Sequence, residues 1–79
     1  MSGNPVSGRP AKHSLTLRGH RTSVSLEQAF WVAFRDLAAA KGLTLNALAA
    51  EIDEDRGDVG LASAIRVHIL QGLQADLSA

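Results

Sequence analysis

The 79-residue chain contains no cysteine. That excludes a disulfide and any thiolate-ligated metal site. Aromatic residues are scarce: Phe30, Trp31 and Phe34 are the only three, all in one short stretch, which predicts a single dense packing point. No apolar run reaches the roughly 20 residues that cross a bilayer, and the N-terminal stretch lacks the apolar centre of a secretory signal. A soluble, cytoplasmic protein with no membrane partner is expected. Catalytic equipment is missing too. There is no Gly-rich phosphate loop and no nucleophile beside a histidine and a carboxylate, so neither an enzyme nor a small-molecule substrate is expected. His13, His20 and His68 fall on separate elements, and Asp53-Glu54-Asp55 lacks the ligand spacing of a calcium loop. No metal and no cofactor are expected.

Excess charge of one sign is also absent overall, since eight Lys and Arg balance eight Asp and Glu. The balance conceals an asymmetry. Arg9, Lys12, Arg18 and Arg21 precede any acid, whereas all eight acids, from Glu27 to Asp76, lie in the remainder. A basic arm on an acidic body suggests a polyanionic partner for the arm. A chain this short is one domain with a marginal core, and without disulfide or metal the expected support is self-association.

Residues 1–12 hold Ser2, Gly3, Asn4, Pro5, Ser7, Gly8 and Pro10 and too few apolar side chains to offset ordering, so a disordered basic tail is expected there, with the domain spanning 13–79. Leu15 and Leu17 then share a strand face. Beyond Gly19 the core-type positions move to Thr22, Val24 and Leu26, leaving Arg21, Ser23 and Ser25 on the other face. Such a phase change requires a bend or a turn at Gly19. One bent strand and a hairpin both satisfy it.

Three helices follow. Ser25-Leu26-Glu27-Gln28 has the S-x-x-Q pattern of a capping box, predicting a first helix from Ser25 to about Lys41 with Gly42 as its stop. Its core stripe is Leu26, Phe30, Ala33 and Leu37, with Trp31 on the flank under Arg35. Thr44 is the expected cap of a second helix, with Leu43 and Leu48 as a hydrophobic staple. That helix ends near Gly57 among acids, which oppose the helix dipole, so its end is expected to be either frayed or tied to cations such as Arg56 or Arg66. A third helix from about Leu61 to Leu77 carries Leu61, Ile65, Ile69, Leu73 and Leu77 at i+4 spacing. The breadth of that arc suggests a subunit interface, and Arg66 within it should pair with Glu51, Asp53 or Asp55.

The N-terminus of the second helix offers free amides beside Thr44 and Asn46, an arrangement suited to phosphate. A lone strand is not a groove-filling ribbon, so its partner strand is expected from a second copy. The order of strand, helix, Gly-x-Thr turn and helix over Arg18 to Asp55 resembles the ribbon-helix-helix superfamily of Arc and MetJ. Gly19-His20-Arg21-Thr22-Ser23-Val24-Ser25-Leu26-Glu27, Phe30-Trp31, Gly42-Leu43-Thr44-Leu45-Asn46-Ala47-Leu48 and Ala64-Ile65-Arg66-Val67 resemble a small bacterial branch with a third helix.

The resemblance implies a mainly α fold with an N-terminal strand, assembled as an intertwined homodimer. Its two-stranded antiparallel ribbon would enter the major groove of double-stranded DNA, as in a transcriptional regulator. Arg21, Ser23 and Ser25 would read bases, although Ser25 is also the capping candidate. Arg18, His20, Thr44, Leu45 and Asn46 would meet phosphate. Val24, Leu26, Phe30, Leu37, Leu48, Ile52, Ile65 and Ile69 would form the dimer core. The competing reading is an antitoxin-like protein-interaction module acting through the third helix or the ribbon edge.

Overall fold

The computed structural model of the chain describes residues 9–78. Two strands, β1 (Pro10–Leu17) and β2 (His20–Glu27), are followed by helices α1 (Gln28–Ala40), α2 (Leu45–Asp55) and α3 (Leu61–Ser78). The fold is mainly helical with an N-terminal ribbon. Among the described residues no helix is long and apolar enough to cross a membrane.

The phase change at Gly19 is a hairpin. Arg18 and Gly19 both adopt positive φ, 54° and 83°, the backbone of the two-residue primed turn that matches strand twist. Leu17 then faces His20, Leu15 faces Thr22, His13 faces Val24 and Ala11 faces Leu26. A two-residue turn forces odd positions of β1 to share a face with even positions of β2, which is the parity the sequence displays. Both strands of this two-stranded sheet therefore come from one chain. Pro10, Ala11 and Lys12, expected in the tail, are instead the outermost rungs, opposite Glu27, Leu26 and Ser25. The rest of the expected tail, residues 1–8, lies outside the described residues.

The first helix starts later than expected. Its N-cap is Glu27, with no side-chain capping bond, and Ser25 lies within β2, paired with Lys12. Strand pairing overrides the capping-box pattern and frees the Ser25 hydroxyl from that role. The stop is as expected: Gly42 has φ 70°, its amide donates to Ala39 O at 3.0 Å and that of Leu43 to Ala38 O at 2.9 Å. These two bonds form a Schellman motif. Thr44 caps α2, its hydroxyl accepting from the Ala47 amide at 3.0 Å.

The core lies beneath the ribbon, where Leu15, Leu17, Val24 and Leu26 meet Trp31, Phe34 and Ala38 of α1, Leu48, Ala49 and Ile52 of α2, and Ile65 and Ile69 of α3. Trp31 is not a flank residue; it is fully buried, with its ring edge-on to His13 at 4.6 Å and tilted against Phe34 at 6.1 Å. The indole was expected under Arg35; it turns inward because its N–H has a partner there, the Ala11 carbonyl at 2.8 Å. Six of the eight residues expected in a shared dimer core, Val24, Leu26, Leu48, Ile52, Ile65 and Ile69, are already covered by their own chain. Phe30 and Leu37 are half-buried.

The i+4 ladder of α3 leaves the core partway along. Each i+4 step overshoots a full turn by about 40° at 3.6 residues per turn, so the ladder walks round the helix. Ile65 and Ile69 are buried, but Leu73 is 53% and Leu77 87% exposed.

Candidate nucleic-acid interface

The face of the ribbon turned away from the core is built in rungs. Thr16 stands opposite Arg21, Ser14 opposite Ser23 and Lys12 opposite Ser25. All six lie on the face opposite Leu15 and Val24, and all are exposed except Ser25, which is half-buried. Every one is a hydrogen-bonding side chain, two are cations and none is an acid. At the far end Pro10 faces Glu27, whose carboxylate is occupied.

That occupation comes from α3. Arg66 donates to Glu27 Oε1 from Nε at 3.1 Å and from Nη2 at 2.9 Å, and its guanidinium lies 5.6 Å over the Phe30 ring. The partner expected for Arg66 was a carboxylate of α2. Position 66 instead faces the junction of β2 and α1, where Glu27 is the acid within reach. The Glu27 carboxyl is held below its ordinary value of 4.5, first by its own backbone amide and then by the Arg66 hydrogen bond. The acids closing α2 are tied elsewhere: Arg56 Nε donates to Asp53 Oδ1 at 2.6 Å, and Arg18 pairs with Glu54.

The two ribbon edges differ. The Thr16 amide points out of the ladder and donates to Asn46 Oδ1 at 3.2 Å, so the first turn of α2 seals the edge of β1. By the alternation of antiparallel pairing, the peptide groups of Arg21, Ser23 and Ser25 point away from β1 on the opposite edge. The hydrogen bond from Thr16 also fixes where α2 begins, beside the ribbon. Thr44 Oγ1 serves Ala47 and the Thr44 carbonyl accepts from Leu48. The amides of Leu45 and Asn46 belong to the first turn, whose N–H groups have no carbonyl partner within the helix.

The residues expected to read bases are thus brought together on one exposed face. Those expected to meet phosphate divide. Thr44, Leu45 and Asn46 sit beside the β1 edge. Arg18 is at the hairpin tip against Glu54, and His20 lies on the core-side face beyond Leu17, exposed. Ser14 and Thr16 share this face without having been expected there, and Lys12, expected as a phosphate-touching cation of the tail, is a rung of the ribbon. The signal for them is the alternation of polar residues with Leu15 and Leu17 up to the turn. Among the described residues no cluster of three or more His, Asp or Glu is placed to hold a metal.

The chain is similar to the solved structure of an uncharacterized protein from Bordetella pertussis Tohama I. The TM-score is 0.73 at 34% identity, over 94% of this chain and 65% of that one. This chain thus spans just under two thirds of that protein's length. No curated protein matches the chain. Residues 10–73, from the first rung of the ribbon to the middle of α3, match the ribbon-helix-helix domain, and the chain belongs to the ribbon-helix-helix family.

Proposed function

We propose that this chain is a sequence-specific DNA-binding protein, a transcriptional regulator of the cytoplasm that works as a homodimer and not as an enzyme. Members of its family are generally DNA-binding regulators or antitoxins. The observation that carries the reading is the outer ribbon face of Lys12, Ser14, Thr16, Arg21, Ser23 and Ser25, where hydrogen-bonding groups replace apolar ones and cations are unopposed. Two strands about 4.8 Å apart fit a major groove about 12 Å wide.

In this reading Arg21 is the principal base reader, because its planar donor fork matches the two acceptors of guanine. Ser23 and Ser25 read beside it, and Ser14 and Thr16 add contacts from β1. The Leu45 and Asn46 amides, at the positive end of α2, hold a phosphate of the flanking backbone. Arg18 and His20 meet phosphate at the hairpin tip, Arg18 exchanging Glu54 for it.

The test is fluorescence anisotropy with duplexes selected from a random pool. Binding should weaken with salt, with a log–log slope near −5 if a dimer neutralises about six phosphates. Arg21→Ala should abolish selection while leaving the fold intact. Failure of the native chain to bind any duplex at about 50 mM salt refutes the reading.

A further inference from the structure

The alternation of β2 continues past Ser25 to Glu27, which stands opposite Pro10. Every second residue of a strand shares a face, so Glu27 belongs to the outer face with Arg21, Ser23 and Ser25. It is the one acid among the eight residues that the register puts on that face. Lys12, opposite Ser25, is its diagonal neighbour across the ribbon. Diagonal neighbours stand roughly 7–8 Å apart, within reach of long side chains. Among the described residues Lys12 has no ion pair. A carboxylate left free at position 27 would therefore repel phosphate and also engage the lysine.

The third helix prevents both. Arg66 holds Glu27 Oε1 from Nε at 3.1 Å and from Nη2 at 2.9 Å. Its guanidinium lies 5.6 Å over the ring of Phe30, in the first turn of α1. Ile65 and Ile69, on either side of it along α3, are buried, which anchors position 66 at the junction of β2 and α1. Both bonds leave one edge of a rigid planar fork, so they fix where the carboxylate sits, drawn toward α3.

We propose that Arg66 is a positioning residue for DNA binding: without touching DNA, it neutralises the one acid of the ribbon face and so leaves Lys12 free for phosphate. This rests on the reading in which that face enters the groove. It gives α3 a part in the function of the ribbon, through a side chain that is remote from the ribbon in sequence and is not itself a DNA contact.

The test is a set of anisotropy titrations of Arg66→Gln, Glu27→Gln and the double variant, on a duplex selected by the native chain. Arg66→Gln should bind about fivefold more weakly, the effect of one like charge a few ångström from a phosphate in water. The loss should shrink as salt screens it. Glu27→Gln should bind at least as tightly as the native chain. The double variant should return to native affinity, because no carboxylate is left to neutralise. Lys12→Ala should cost less in the Arg66→Gln background, where the lysine is already engaged.

An arginine that itself met phosphate, or only braced the fold, would give a loss that Glu27→Gln does not rescue, and that result overturns the proposal. So does native affinity in Arg66→Gln. If Arg66→Gln does not fold, the double variant decides: native affinity upholds the proposal and a loss overturns it. A native chain that binds no duplex refutes the DNA reading and this role with it. Native binding with an unrescued loss leaves that reading standing and removes only the role of Arg66.

Discussion

The indole N–H of Trp31 donates to the carbonyl of Ala11 at 2.8 Å, tying the first turn of α1 to the beginning of β1. Pairing with β2 holds that end of the ribbon as well, Ala11 standing opposite Leu26. Trp31→Phe keeps an aromatic ring but leaves the Ala11 carbonyl without its donor and vacates volume. Loss of a buried partner and a residual cavity together should cost roughly 2–4 kcal/mol. The urea midpoint should fall, and amide exchange should accelerate in β1 first. Unchanged protection of the Ala11 and Lys12 region would mean that the hydrogen bond does not secure the strand.

That contact also explains what could and could not be read from the sequence. The faces of the ribbon were legible, because Leu15 and Leu17 on one parity and Val24 and Leu26 on the other are local facts. The turn was not, because Arg18-Gly19 lacks the Asn-Gly or Asp-Gly pair that announces a primed turn. The start of β1 was hidden for a different reason. Pro10, Ala11 and Lys12 have poor strand character, and they are ordered by pairing with β2 and by a tryptophan 20 residues away. The same non-local pairing defeated the capping box at Ser25. In α3 the i+4 ladder was real, but its drift turned Leu73 and Leu77 away from the core.

The hairpin turn carries strain that can be relieved. Arg18 is the one non-glycine residue at positive φ among those described. An L-residue there is disfavoured by roughly 1–2 kcal/mol, least for asparagine. The ion pair with Glu54 is exposed, with side chains 62% and 46% accessible, and pairs of that kind contribute about 0–1 kcal/mol. Arg18→Asn should therefore raise the urea midpoint, while Glu54→Gln should barely move it. Gly19→Ala should lower the stability by about 1–2 kcal/mol, although no atom within 4 Å obstructs a Cβ. The penalty is in the backbone.

Two carriers of pH dependence should act in separate windows. Burial lowers the imidazole of His68 below its ordinary 6.5, Lys41 lowers it further, and Glu51 and Asp55 oppose both. Between that folded value and 6.5 the unfolded chain holds more protons, so stability falls as the pH drops below 6.5. His68→Gln should flatten this part of the profile of urea midpoint against pH. Glu27, whose carboxyl is lowered from 4.5, contributes stability that is present above 4.5 and lost as pH falls through its folded value. Glu27→Gln should therefore flatten only the more acidic limb. A profile in which each variant changes the other's window would contradict the assignment.

The sharpest separation of roles on the ribbon is between its two cations. Arg21 stands opposite Thr16, near the hairpin tip, and Lys12 stands opposite Ser25, near the start of α1. If the ribbon enters the groove, Arg21 meets base edges. Arg21→Ala should cost about 1–3 kcal/mol on a selected site and relax selection at one base pair. Lys12 is a flexible point charge rather than a planar fork, and it suits phosphate. Lys12→Ala should weaken selected and random duplexes equally and reduce the salt slope by about one. Arg35, exposed in the second half of α1, is the control, and Arg35→Ala should alter neither quantity. Anisotropy titrations of the three variants at several salt concentrations give both readouts. Equal losses from Arg21→Ala on selected and random DNA would reduce the ribbon to a phosphate-binding surface, and base reading would have to be sought elsewhere.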